Sequence, residues 1–415
     1  MWWPTAVRSE SLNPWRGEMK FAPWPFFSDD EIQAAVDVLK SGRINQWTGT
    51  FVKAFERAFA RYIGTDHAIA LANGSLGLDM ALKALDIGTE DEVIVTPRSF
   101  VASASCVALQ GAVPVFVDVD PVSQNITPET ISKAVTSKTK AVIAVNLGGW
   151  PCDLKKIKSF CEQERIFLIE DCAQAHGAAF EGKKAGSFGD CAVFSFCQDK
   201  IMTTGGEGGM LVTNNPDICK RVWSFKDHGK DYDQAFCSDH DPGFRWLVNS
   251  FGTNGRMTEM QAAMGCVQLR KLDGWVKQRR GFADQMNRAF AKIPGLRTTI
   301  PGPGCYHSYY KYYVFIEQDA LKSGWNRNMV IEALNNADVP CNTGICPEIY
   351  RENAFTKSHC RLHGAVKDSS GQAYLPGARQ LGESSVMFMV HPTLTPASIE
   401  FVIDQVQQVM KKAVI

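Results

Sequence analysis

Residues 166–177, IFLIEDCAQAHG, and residues 189–214, GDCAVFSFCQDKIMTTGGEGGMLVTN, decide how this chain folds. Each begins near a short apolar run, and each run hands over to a polar residue. Asp171 closes the first run, and Lys200 stands between the second and a glycine-rich turn. HAIALA, EVIVTP, VPVFVDVD and AVIAVNL precede them, and GMLVTN follows. Runs of this length, apolar on both faces, are strands covered on both sides. Helix-compatible segments, SLGLDMALKAL, TPETISKAVTS and DLKKIKSFCEQE, separate several of them. Upstream, SDDEIQAAVDVLKSG opens on a capping box, Ser28 with Glu31, and stops at Gly42. FVKAFERAFARYIG places Val52, Phe55, Phe59 and Tyr62 on one helix face. The pattern predicts an α/β large domain over residues 1–265, built on a mainly parallel seven-stranded sheet flanked by helices. From Met257 a stretch with almost no glycine or proline predicts one long helix or two consecutive ones. It leads into a smaller α+β domain over residues 266–415. That domain holds the strand YKYYVFIE, the helix RNMVIEALNNAD and the amphipathic end PASIEFVIDQVQQVMKKAV.

Composition narrows the class. Lys+Arg and Asp+Glu balance at 44 each over 415 residues, so nothing favours nucleic acid or an anionic membrane as partner. No apolar run reaches the roughly 20 residues that span a bilayer. The opening MWWPTAVRSESLNPWRG lacks the apolar core of a signal peptide and reads as an extended arm. The 13 cysteines are scattered, and the nearest pair, Cys341 and Cys346, has no second pair or histidine cluster beside it. Free thiols in a reducing cytoplasm are expected, with no metal site.

The polar residues at the strand ends suit one cofactor chemistry. A lysine amine forms a Schiff base with the aldehyde of pyridoxal 5'-phosphate, and a carboxylate such as Asp171 keeps its pyridine nitrogen protonated. The same cofactor needs a grip on a phosphate dianion and a face for its ring. LANGSLGLDMAL follows a strand and opens a helix, so the amides of Gly74, Ser75 and Leu76 form a helix N-terminus that favours an anion. Ser195 offers a hydroxyl just before Lys200, Phe100 an aromatic face after EVIVTP, and Gln174 an amide near Asp171. Each of these residues alone has a plainer reading: a capped turn, a strand serine, a core phenylalanine, a loop cap or a surface lysine. The glycine-rich TTGGEGG lacks the order of a nucleotide P-loop.

Taken together, the fragments INQWTGTFVKAFERAFARYIG, NGSLGLDMAL, DEVIVTPRSFVASA, PVFVDVDP, EDCAQAHGA, GDCAVFSFCQDKIMTTGGEGGM, FGTNGRMTEMQAAMGCVQL and MVHP resemble the DegT/DnrJ/EryC1/StrS family. These are sugar aminotransferases within the fold-type-I enzymes that use pyridoxal phosphate. The resemblance runs from about Trp24 to the C-terminus. It implies that Lys200 is the Schiff-base lysine, Asp171 the partner of the pyridine nitrogen, and Gln174 the contact to the ring oxygen. It implies a stacking role for Phe100 and phosphate contacts for Ser75 and Ser195. Asn254 would reach the phosphate of a neighbouring subunit, and Arg256 would receive a carboxylate of the amino donor. Both roles require a homodimer with shared active sites. Trp47, Tyr310 and Lys311 match positions at the substrate. The family often carries a histidine where Tyr310 and Lys311 stand, a histidine or other polar residue where Cys197 stands, and a bulkier aromatic where Gly255 stands.

The resemblance implies a cytoplasmic enzyme that moves an amino group, from glutamate, to a keto sugar carried on a nucleoside diphosphate. Both half-reactions use one pocket, which implies ping-pong kinetics. Relatives that remove a hydroxyl have histidine in place of the lysine, so Lys200 argues against dehydration. Amination of a cyclitol or another keto substrate stays open, as does a non-catalytic regulatory role on the same fold.

Overall fold

The computed structural model describes residues 21–236, 246–356 and 359–415; the Trp-rich opening arm lies outside them. All seven apolar runs are strands: β1 His67–Leu71, β2 Glu92–Val95, β3 Val113–Val117, β4 Thr139–Val145, β5 Phe167–Asp171, β6 Cys191–Ser195 and β7 Gly209–Thr213. They form one sheet in the order β1-β7-β6-β5-β4-β2-β3. Only β7 runs against its neighbours. Every residue of β2 and β7 is buried, as sheet covered on both faces requires. Each fully buried Val, Leu, Ile or Phe contributes about 1.5–3 kcal/mol, so the central strands dominate the stability of this layer.

The C-terminal third builds a second, antiparallel sheet from β8 Leu296–Thr298, β9 Tyr312–Ile316, β10 Cys341–Asn342 and β12 Ser385–Phe388. Another strand of this third, β11 Arg361–His363, goes elsewhere. It lies parallel to β3 and makes the large sheet eight-stranded, one more than the pattern predicts. The reason for the miss is local. RLH is a short edge strand with no apolar run, held by a parallel ladder and by Arg361 pairing with Glu92.

The helices that matter for the site are α1 Asp29–Ser41, α2 Phe51–Ile63, α3 Gly74–Ala84, α4 Ala102–Leu109, α5 Leu154–Glu164, α6 Pro216–Lys226 and α7 Glu259–Phe290. The capping box at Ser28 forms as the sequence predicts, and Gly42 ends α1 with φ 67°. TPETISKAVTS shortens to Pro128–Ser132. The run from Met257 becomes a single helix of 32 residues, capped by Thr258. It is continuous through residue 265, packs on α1 and α2, and reaches the smaller sheet.

Strands β1, β4, β5 and β6 all point the same way, so their carboxyl ends share one edge of the sheet. That edge carries the loops leading to Gly74, Asn146, Asp171 and Ser195. In open α/β sheets it is where ligands sit. Among the described residues no helix is long and apolar enough to cross a membrane, and no cluster of side chains is arranged for a metal ion. All twelve described cysteines are free, six of them buried.

Candidate active site

Asp171 ends β5 and is buried. Its Oδ2 accepts the Ser103 hydroxyl at 2.7 Å, and its Oδ1 accepts the Ala173 amide at 3.1 Å. Burial drives its pKa up, while these two bonds and the charge of Lys200 pull it down; the upward push prevails. Three residues on, the Gln174 Oε1 accepts the Gly148 amide at 2.8 Å. That bond fixes the amide so that its NH2 group is the donor left to a ligand. Phe100 starts the turn into α4, the helix that brings Ser103 to Asp171. At 48% exposed, its ring is not a core phenylalanine.

The second strand to arrive is β1, which feeds α3. Gly74 opens that helix against β6, and a Cβ on Gly74 would lie only 2.8 Å from Ser195 Cβ. Glycine is therefore what lets the helix N-terminus meet the Ser195 side chain. The first-turn amides of Gly74 and Ser75 have no acceptor within the helix. Leu76 is different: its amide donates to Asn73 Oδ1 at 2.8 Å, because Asn73 is the N-cap. The expected trio of anion-facing amides therefore reduces to Gly74 and Ser75. The Ser195 hydroxyl accepts the Cys197 amide at 3.3 Å, which leaves its own proton to give.

Lys200 follows in the turn after β6. Its side chain is only 15% exposed, so it is not a surface lysine. Its Nζ lies 3.8 Å from Asp199 Oδ1, 3.5 Å from the Tyr310 hydroxyl and 4.9 Å from the centre of the Tyr310 ring. Tyr310 hydrogen-bonds Asp199 in turn. Lys311 Nζ stands 3.8 Å from the other Asp199 oxygen and 4.6 Å from the same ring centre. Burial lowers the Lys311 pKa to about 8, helped by the charges of Lys200 and Arg279 and opposed by Asp199. Tyr310 and Lys311 belong to the loop before β9. They reach the large sheet because Ser308 N–H donates to the Gly149 carbonyl at 2.9 Å and Lys311 N–H to the Gly148 carbonyl at 3.3 Å. Gly149 has φ 94°, and a Cβ there would lie 2.4 Å from Ser308 Oγ, so this docking needs glycine. Behind Lys200, the Trp24 indole donates to its carbonyl at 2.9 Å and stacks on His391 of MVHP.

Trp47, Asn254 and Arg256 gather separately. Segment 254–256 runs beside the end of β1, where the Ala72 amide donates to the Gly255 carbonyl at 2.9 Å. A Cβ on Gly255 would lie 2.7 Å from both Leu76 Cδ2 and Met80 Cε, so its bare backbone seats the segment on α3. Arg256 Nη1 and the Trp47 indole both donate to Asp227, each at 3.0 Å. Asn254 is exposed.

The DegT/DnrJ/EryC1/StrS aminotransferase family matches residues 26–407. The chain belongs to that family. The structure of this aminotransferase superposes on that of the aminotransferase from Psychrobacter cryohalolentis with a TM-score of 0.89, at 45% identity over 94% of this chain and 99% of the other. It is 30% identical, over 93% of its length and 96% of the relative's, to dTDP-4-dehydro-2,3,6-trideoxy-D-glucose 4-aminotransferase from Saccharopolyspora spinosa. It also resembles GDP-4-keto-6-deoxy-D-mannose-3-dehydratase from E. coli, solved with hydrated pyridoxal phosphate. That match has 26% identity, a TM-score of 0.82, and covers 92% of this chain and 97% of the other.

The residues of this aminotransferase fit the cofactor its family uses. A buried carboxylate at Asp171, an oriented amide at Gln174 and a helix N-terminus that Gly74 lets pack against Ser195 are the kinds of group that could hold the nitrogen, oxygen and phosphate of pyridoxal phosphate. Sequence reasoning missed Ser103, Asp199, Trp24 and Asp227. Asp199 adjoins Lys200, and Ser103 follows Phe100 by three, so proximity to marked residues was the only signal. Asp227 carried none.

Proposed function

We propose that this chain moves an amino group from glutamate to a keto sugar on a nucleoside diphosphate, as a cytoplasmic homodimer whose sites are shared. The observation that carries this is Lys200, held by Asp199 and Tyr310 at the carboxyl edge of the sheet and close enough for its charge to act on Asp171. The name of the S. spinosa relative, an aminotransferase of a dehydro sugar on dTDP, supports the substrate class. Lysine at position 200 supports amination over dehydration.

When bound, pyridoxal phosphate supplies an aldehyde for amine chemistry and a ring that withdraws electrons. Lys200 Nζ would hold it, and the Lys200 amine, when free, would move a proton at the donor's Cα. Asp171 keeps the ring nitrogen protonated by opposite charge at short range. The Gly74 and Ser75 amides, with the Ser195 hydroxyl, bind the phosphate at the N-terminus of α3. Gln174 Nε2 would be the donor for the ring oxygen, and Phe100 would cover one ring face. Asn254 reaches the partner's phosphate, and Arg256 takes a donor carboxylate; Lys311 and Tyr310 meet the sugar nucleotide. The two lobes are proposed to divide near residue 265.

The test is direct. Protein reconstituted with pyridoxal phosphate should turn yellow, bleach with glutamate and regain colour when the matching member of a panel of nucleotide keto sugars is added. Lys200→Ala should stay folded and lose turnover. A protein that takes up no cofactor, or a Lys200→Ala variant with full turnover, overturns the reading.

A further inference from the structure

Asp227 follows α6 and has no catalytic role in the proposal above, yet it is fully buried. Four donors converge on its carboxylate. Lys230 Nζ at 2.9 Å and Arg256 Nη1 at 3.0 Å share Oδ1; Gln46 Nε2 and Trp47 Nε1, both at 3.0 Å, share Oδ2. A carboxylate offers about four lone-pair sites, so this one is filled. It has no capacity left for a ligand, and its effect must pass through the groups that it holds. The Trp47 N–H is likewise spent, leaving Trp47 its partly exposed ring. Arg256 gives Asp227 one of its five N–H donors. Its side chain stays 15% exposed, with the remaining donors set in a fixed plane.

The loop that carries Gln46 and Trp47 is tied at its other end as well. Buried Glu259, at the start of α7, accepts the amides of Phe51 and Val52. A Cβ on Gly49 would lie 2.2 Å from Glu259 Oε2, so the loop passes close over that side chain. Asp227 and Glu259 thus fasten residues 46–52 to segment 227–259.

We propose that Asp227 is a positioning residue that sets the Arg256 guanidinium, together with Trp47, to receive an oxyanion of a substrate. The oxyanion is a carboxylate of the amino donor or a phosphate of the sugar nucleotide. This rests on the aminotransferase reading but names a residue and a linkage which that reading does not require.

The experiment is a double-mutant cycle on the reconstituted enzyme, with Asp227→Asn, Arg256→Ala and the pair. Donor and sugar nucleotide are followed in separate half-reactions, alongside cofactor occupancy and melting temperature. Asp227→Asn keeps the shape and removes the charge. It should raise the KM of one substrate at least about tenfold, with kcat within about threefold and occupancy unchanged. Arg256→Ala should raise the KM of that same substrate. The pair should be no worse than Arg256→Ala alone within about twofold, because Asp227 acts through Arg256. Which KM moves identifies the oxyanion. Trp47→Phe, which removes the indole N–H together with part of the ring, gives a second and milder variant should Asp227→Asn fold poorly, and its KM effect should fall on the same substrate. Effects that multiply in the pair, or a loss confined to kcat, melting temperature or occupancy, overturn the proposal. A wild-type protein that turns over while neither single variant shifts a KM does so too. A wild-type protein that binds no cofactor defeats the aminotransferase reading instead.

Discussion

Replacing Asp171 by Asn should change the empty and the loaded protein in opposite directions. The substitution preserves volume and leaves an oxygen to accept Ala173 N–H or Ser103 Oγ–H, so packing at the end of β5 should persist. What it removes is a charge. In the loaded enzyme that charge faces the protonated ring nitrogen, and deleting one member of a buried pair costs about 3–5 kcal/mol. At 1.36 kcal/mol per decade, donor-driven bleaching should slow roughly 10²- to 10⁴-fold. In the empty chain the sign reverses. Burial raises the Asp171 pKa above its ordinary 3.8, so the fold prefers the protonated carboxyl. The stability this group contributes is complete below 3.8 and falls as pH rises through the raised value, leaving a penalty at neutral pH. Asn carries no such penalty. At pH 7 the empty variant should therefore melt at or above the empty wild type, while the loaded variant melts below the loaded wild type. Thermal melts with and without pyridoxal phosphate, paired with single-turnover bleaching, measure all three quantities. A rate within about tenfold of wild type at full occupancy would refute the proposed role, as would an empty variant that melts lower.

Other outcomes follow from the same geometry. Gly74→Ala places a methyl 2.8 Å from Ser195 Cβ; overpacking of about 1–3 kcal/mol should weaken cofactor uptake roughly tenfold or more, read by titrating empty protein with pyridoxal phosphate. Lys311 loses its proton around pH 8, because burial disfavours the ammonium, so the KM for an anionic sugar nucleotide should climb above that pH. Lys311→Arg should push the climb to higher pH, and a flat profile in wild type would remove Lys311 from the substrate. If sites are shared between subunits, mixing Asn254→Ala with Lys200→Ala should yield hybrids in which one site regains both residues. Activity should then return to a fraction of wild type, and no recovery after verified exchange would count against sharing.

Much of the layer that carries the site could be read from pattern alone. Seven apolar runs became seven strands because strands covered on both faces are built mostly of apolar residues, and that constraint is written locally. The same holds for the Ser28 capping box, the glycine end of α1, and the switch from strand to helix at Gly74. The edge strand Arg361–His363 escaped because a strand at a sheet margin needs only one partner and no apolar run. The shortened Pro128–Ser132 helix shows that helical composition does not set where packing ends a helix.

Sequence alone determined which strand ends carry Lys200, Asp171, Gln174 and Ser195, since those positions follow from where apolar runs stop. Only the tertiary structure decided what surrounds them. Tyr310 and Lys311 meet Lys200 because the loop before β9 docks on bare glycine backbone at Gly148 and Gly149. Asp227 collects residues from both sides of the chain, Gln46, Trp47, Lys230 and Arg256, around one buried charge. Contacts between residues far apart in sequence leave no periodic trace, because they are selected by three-dimensional fit and by the cost of leaving a buried charge unpaired.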